Sequence, residues 1–271
     1  MKQIYKDIQK RFEGFIKTPF LWNTISIFGL YQFEINQKLI TYDKKIDTKL
    51  RLGKFVERLV SHQFKDDKSI EIISENIQIQ NNKITLGELD CLILKDKEPV
   101  HLEIIYKFYL YDATIGIDEL SHFIGPNRKD SLINKLIKLK QKQLPLLYSK
   151  ECVKYLESIS LNNNKIEQKI YFKAQLFLPF SNKKIKLKEL NSDCVVGYYI
   201  NQIELNNFKD SKFHIPLKLD WLVVPHTDVK WINYNEFKLK MVSYMQRQFS
   251  PLCWIKNKNG LIDKVFLIWW S

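Results

Sequence analysis

The chain has 271 residues, 45% of them hydrophobic and 27% charged, enough to bury a core as one large domain or two small ones and too apolar for a disordered chain. Its formal charge of +13 points to an anionic partner, nucleic acid or an anionic membrane surface, with a share of the excess owed to lysine-rich composition. No stretch approaches the ~20 apolar residues of a membrane span, the start MKQIYKDIQKRFEGF has no secretory apolar core, and Cys91, Cys152, Cys194 and Cys253 are too scattered for a thiolate zinc site, so a soluble cytoplasmic protein without a membrane partner is expected.

Ile4, Ile8, Phe12, Phe15 and Ile16 are spaced as one face of a helix over Tyr5–Ile16, which Thr18-Pro19 would end. From Trp22 to Lys49 no period is clean, and a loop with a short strand is expected. Arg51–Phe64 predicts a helix whose buried stripe is Leu52, Phe55, Val56, Leu59, Val60 and Phe64. Glu57 sits at the margin of that stripe, where an acid is commonly an ion-paired surface residue; it gains interest if the helix packs beside Asp90. Ser69–Gln80 predicts a strand, and Asn81-Asn82 a turn into the next.

The stretch LGELDCLILKDKEPVHLEIIYKFY, from Leu86 to Tyr109, alternates apolar and polar residues on both sides of a short charged turn. With Asp96 and Lys97 in the loop, Lys95 pairs with Glu98, Leu92 with His101, and Asp90 with Glu103. Opposed side chains lie about 5 Å apart at Cβ, where two carboxylates repel unless a cation lies between them. Leu89, Cys91, Ile93, Val100, Leu102, Ile104 and Tyr106 share one face, and Glu88, Asp90, His101, Glu103 and Lys107 the other. The simpler alternative is that this second face is the solvated side of an antiparallel sheet. Gly87 interrupts the strand and marks a bulge or a close backbone approach.

After a loop punctuated by Gly125-Pro126-Asn127 comes a helix from Asp130 to about Leu144, with Leu132, Ile133, Leu136, Ile137 and Leu139 inward. Lys135, Lys138 and Lys142 form a basic stripe along it, flanked by Arg128 and Lys129, able to follow a phosphate backbone and otherwise a solvated face. A helix over Glu151–Ser160 and an apolar strand, IYFKAQLFLPF, follow. Beyond Ser181, strands are expected at Val195–Ile203 and Leu217–Val224 and a helix at Glu236–Phe249. This last third holds five of the six tryptophans, expected in the core rather than stacked on bases.

GELDCLI followed by HLEIIYKFY resembles the PD-(D/E)XK nuclease superfamily, whose core is a helix, three strands, a helix and a fourth strand. TPFLW, RLGKFVERL, LEIIYKFYL, FIGPNRKDSLINKLIKLKQKQLPL, CVVGYYI and LKLDWLVVP resemble an uncharacterised bacterial family, domain-of-unknown-function family 1853. The resemblance implies an α/β (α+β) fold with a restriction-endonuclease-like core at about 51–180 inside a nuclease-like domain of 1–180. An N-terminal helix precedes that core, and a β-rich mixed α/β extension, 181–271, packs on the same domain.

Carried over residue by residue, the resemblance puts the metal-binding acids on Asp90 and Glu103, with Glu57 as the acid from the first core helix. The superfamily lysine would fall on Ile105, so Lys107 is its nearest substitute, four strand residues (about 13 Å) past Glu103 rather than two (about 6.6 Å). Gln143 would help shape the site. The activity implied is Mg²⁺- or Mn²⁺-dependent hydrolysis of phosphodiester bonds in nucleic acid, DNA before RNA, with Arg128, Lys129, Lys135, Lys138 and Lys142 on the backbone. The alternatives are an inactive nuclease fold that binds nucleic acid as a structural or regulatory module, and an interaction scaffold whose charge is only composition.

Overall fold

In the computed structural model, which describes residues 2–36, 38–43 and 46–270, the chain is mixed α/β. Among those residues there are five α-helices and a large, mostly antiparallel sheet. The chain divides into two compact units: one takes the residues up to Gln9, Phe20–Tyr106 and Asn134–Lys173, the other Lys10–Pro19, Lys107–Ile133 and Ala174–Ser271. Helix α1 (Lys2–Lys17) ends where Thr18-Pro19 was expected to end it, the Thr18 hydroxyl donating back to Gly14 O at 2.9 Å.

In the first unit α2 (Leu52–Lys65) buries Phe55, Val56, Leu59, Val60 and Phe64 along the expected stripe. Strands β1 (Ile70–Asn81), β2 (Ile84–Lys95) and β3 (Glu98–Tyr111) pair antiparallel in sequence order. The β2–β3 turn is Asp96-Lys97, with φ of 51° and 74°, a two-residue geometry whose twist matches the strands it joins. It sets the anticipated register, Lys95 opposite Glu98 and Leu92 opposite His101. The β1–β2 turn falls one residue later than expected, on Asn82 (φ 53°) and Lys83. Gly87 does both things expected of it. The β1–β2 register slips between Ile79–Gly87 and Gln80–Thr85, and a Cβ at this glycine would lie 2.7 Å from Leu146 Cδ2.

A two-residue strand β4 (Phe123–Ile124), α3 (Leu132–Lys138) and α4 (Lys150–Ser158) precede β5 (Glu167–Pro179), which lies beside β3. The single helix expected to Leu144 is interrupted. After Lys138 the chain makes a π turn at Leu139–Gln143 and a 3₁₀ turn at Leu144–Tyr148, because Pro145 has no N–H with which to extend the α-helical ladder. Leu147, Cys152 and Leu156 from these turns and α4 pack with Leu92, Ile77 and Ile79. The sheet face carrying His101 and Glu103, both wholly buried, is therefore not the solvated side of the sheet. The irregular stretch after α1 is tied to β5, Leu21 N–H donating to Phe172 O at 2.9 Å and Phe33 N–H to Ile170 O at 2.8 Å. Part of the loop expected there, residues 37, 44 and 45, lies outside the described residues.

In the second unit β5 pairs parallel with β6 (Val195–Ile200). Beyond them come β7 (Lys212–His214), helix α5 (Tyr234–Gln246), and the hairpin of β8 (Leu252–Lys256) and β9 (Ile262–Leu267), in the order β5-β6-β9-β8-β7. The strand expected at Leu217–Val224 is instead a 3₁₀ turn, Lys218–Leu222. It fits closely under α1, where a Cβ at Gly14 would meet Leu222 O at 2.0 Å, and Asp220 in it accepts from Arg11 Nε at 2.7 Å. Trp221 and Trp254 are buried, as expected of core residues, while Trp231, Trp269 and Trp270 are half-buried.

Lys264 on β9 is buried, its Nζ donating to Gln175 Oε1 at 2.7 Å and Trp221 O at 2.6 Å. Loss of water lowers its pKa to about 7, and a neutral amine has two N–H groups to match two acceptors, where an ammonium has three. All four cysteines are free and buried. Among the described residues no helix is long and apolar enough to cross a membrane.

Candidate active site

The backbone pairing of β2 with β3 runs from Lys95–Glu98 to Cys91–Leu102. At the next opposed pair the side chains take over. The Ile104 N–H donates to Asp90 Oδ2 at 2.9 Å, and the Asp90 N–H donates to the Glu103 carboxylate. Each acid thus satisfies a backbone amide of the neighbouring strand that the ladder no longer pairs. Asp90 and Glu103 face each other as the alternation of the hairpin requires.

Both resist ionisation. Loss of water, then the charge of Glu103, raises the Asp90 pKa from 3.8 to about 7. Burial likewise pushes Glu103 up, opposed by the positive charge of Lys135 and by the Asp90 amide. Two carboxyl groups in one dry site cannot both carry charge without a compensating cation.

Helix α2 brings a third acid. Glu57, 8% exposed, is raised to about 7, first by burial and further by the charge of Asp90, against a hydrogen bond from Lys54. The helix therefore does pack beside Asp90, the condition under which Glu57 gains interest. Lys54, one turn earlier on the same helix face, donates to Glu57 Oε2 at 3.0 Å, to Asn76 Oδ1 at 2.7 Å and to Glu88 Oε1. Among the described residues no three His, Cys, Asp or Glu side chains form a group that could hold a metal ion; the Lys54 ammonium already holds Glu57 and Glu88.

Gln143, the last residue of the π turn, donates through its amide to Glu103 Oε2 and accepts from Lys135 Nζ at 2.7 Å. Lys135 acts electrostatically on both Asp90 and Glu103. His101 Nδ1 lies 3.0 Å from Gln168 Nε2, which also donates to Leu144 O at 2.7 Å. An amide nitrogen only donates, so Nδ1 accepts and the imidazole proton sits on Nε2, 3.3 Å from Glu103 Oε1. Burial lowers the His101 pKa to about 4, leaving it neutral at pH 7. Among the described residues, Glu103 Oε1 is a buried oxygen without a hydrogen-bond partner. With the Asp90 carboxyl it offers hard oxygen donors from two acids, the donor chemistry that a divalent cation takes.

The other residues singled out in the sequence stand elsewhere. Lys107 Nζ is paired with Asp130 Oδ2 at 2.6 Å, and Ile105 is buried at 3%. Arg128 donates to Asp112 Oδ2 at 2.9 Å and lies 4.5 Å over the Trp270 ring, an anchor for its own loop. Lys129, Lys138 and Lys142 are exposed, and Lys135 alone of the stripe turns toward the acids. Sequence reasoning missed Lys54, although its place three residues before Glu57 was a readable signal. It missed Gln168 as well, which only the position of β5 beside β3 reveals.

No curated protein and no solved structure matches this chain. A family model described as a domain of unknown function, DUF1853, matches residues 29–264, a span that includes every member of the acid cluster, and the chain belongs to that family.

Proposed function

We propose that this chain is a metal-dependent nuclease of the PD-(D/E)XK kind, hydrolysing phosphodiester bonds in DNA or RNA. One observation carries the reading: Asp90 and Glu103, opposed on neighbouring strands, meet in one site, Glu103 buried and Asp90 half-buried, and both are raised in pKa. Apart from the two-residue β4 and the turns around α4, the chain order α2, β1, β2, β3, α3 with α4, and β5 supports it, being a helix, three antiparallel strands, a helical segment and a strand.

Asp90 and Glu103, with Glu57 once Lys54 releases it, would hold Mg²⁺ or Mn²⁺. When bound, such a cation lowers the pKa of a water and offsets charge growing on the phosphate. Gln143 keeps Glu103 oriented through Oε2, and the Ile104 amide does the same for Asp90. Lys135 supplies positive charge beside both acids. Lys107 would serve the reacting phosphate only by leaving Asp130, and Lys129, Lys138 and Lys142 offer exposed cations for the backbone.

A second reading, a nuclease fold that binds without cutting, is favoured by two specific features. Lys54 already neutralises Glu57 and Glu88, and Ile105 stands where the resemblance puts a lysine. The test is cleavage of labelled single- and double-stranded DNA and RNA in Mg²⁺, Mn²⁺ or chelator, with wild type and Glu103→Gln. The nuclease reading expects cutting with either metal, none in chelator, and a loss of about 10³-fold in Glu103→Gln with binding retained. Salt-sensitive binding with no cutting in any metal would sink it in favour of the second reading.

A further inference from the structure

The second unit carries a groove of about 610 Å³ that the acid cluster does not use. One wall is a single face of α5 and its C-cap: Glu236, Lys240 and Tyr244 on the helix and Arg247 just past its end recur at three- and four-residue spacing and all line it. Facing them are His214 on β7 and Lys230, joined by a 3.1 Å contact from His214 Nδ1 to Lys230 O. The floor is apolar and fixed. Phe213 bridges to Ile232 and stacks on Phe237 of α5, ring centroids 4.2 Å apart at 14°.

Three cations, Lys230, Lys240 and Arg247, line this groove against one acid, Glu236, which lies 3.9 Å from Lys240. The net charge of its walls is therefore +2, three minus one. The Arg247 guanidinium lies 5.0 Å over the Tyr244 ring, and Phe249 packs against the same tyrosine at 5.7 Å between centroids, so the one half-buried tyrosine of the lining carries a cation over its ring. Leu239, 76% exposed, stands on the rim. Cations alone would suit any polyanion. Cations flanking a half-buried tyrosine ring over an apolar floor suit one whose bases are unpaired and can exchange with the guanidinium on that ring, since a duplex offers only phosphates to such a wall.

We propose that this groove binds single-stranded nucleic acid, with phosphates on Lys230, Lys240 and Arg247 and a base stacked on Tyr244. The binding stands on these residues alone; that the nucleic acid bound is also a substrate rests on the nuclease reading. The probe is a labelled twelve-residue oligothymidylate titrated in chelator, with fluorescence anisotropy as readout and a duplex of equal length as control. Lys240→Glu with Arg247→Glu is expected to weaken single-strand binding about tenfold or more at ~0.1 M salt. The same change should flatten the salt dependence by about 0.7 in log–log slope for each phosphate the variant no longer neutralises. Tyr244→Ala is expected to cost about tenfold for the single strand and to leave duplex binding unchanged.

Thermal melting checks that the charge reversals fold, and Lys240→Gln with Arg247→Gln replaces them if they do not. Variants that bind oligothymidylate like wild type, or a Tyr244→Ala loss equal for single strand and duplex, would overturn the groove. Asp90→Asn is expected to bind normally in this assay. Groove variants that bind normally while Asp90→Asn has lost cutting would therefore overturn the groove and leave the nuclease reading standing.

Discussion

At pH 8, Asp90→Asn is expected to be more stable than the wild type and to cut nothing. The wild-type carboxyl must ionise in a buried site beside Glu103, and its pKa is lifted from 3.8 to about 7 as a result. One pKa unit corresponds to ~1.4 kcal/mol, so the penalty at pH 8 is roughly 2–4 kcal/mol. Asparagine removes that charge and keeps an oxygen to accept the Ile104 N–H, now bonded at 2.9 Å. Asp90→Ala removes the acceptor as well and leaves the amide orphaned, so it is expected to be less stable than Asp90→Asn by about 1–3 kcal/mol. Denaturant melts in chelator measure the first effect, and cleavage in Mg²⁺ measures the second. Asp90→Asn protein that is destabilised at pH 8, or that cuts like wild type, would show that this acid is an ordinary structural residue.

The second large effect is the pH dependence of the wild type. Asp90 and Glu57 hold their protons to about pH 7 in the folded chain, and Glu103 is raised in the same direction. In the unfolded chain such groups ionise near pH 4. Between those values the folded state binds more protons than the unfolded, so stability is greatest at the acid end of the window. It falls as pH rises from about 4 to 7, by on the order of 4 kcal/mol. Lys264, lowered to about 7, acts above this window and in the opposite sense. A divalent cation binds the ionised acids, so Mg²⁺ at 100 times its Kd should return about 2.7 kcal/mol at pH 8 and nothing at pH 5. Stability that rises from pH 4 to 7 in chelator would contradict the burial of these three carboxyls.

The hairpin was legible because two local signals agree there, period-two alternation and a two-residue charged turn at Asp96-Lys97, and the register shift beside Gly87 falls in the β1–β2 pairing and leaves this one intact. Register follows from such a turn, and with register the opposition of Asp90 and Glu103. Helix α2 was equally plain, its apolar stripe placing Glu57 on the margin that meets the sheet. What stayed hidden depends on tertiary packing. LKLDWLV alternates like a strand, yet it turns as 3₁₀ where Gly14 lets α1 come down on Leu222 O. The π turn at Leu139–Gln143, which ends on Gln143 beside Glu103, looks in sequence like continued α-helix. The hairpin of β8 and β9 went unread although Asn257–Gly260, with φ 82° at Gly260, is a turn signal between apolar runs. Lys54 shows the other kind of gap: its spacing from Glu57 could be read along the helix, but only the packing of α2 on β1 and β2 brings it to Asn76 and Glu88.

Calorimetric titration of Mn²⁺ into the protein at pH 8, wild type against Asp90→Asn and Glu103→Gln, asks directly whether the two opposed acids share a cation. Saturable binding at one site per chain in the wild type, lost in both variants, is the result predicted. Equal binding in all three proteins, or none in the wild type, would contradict the account.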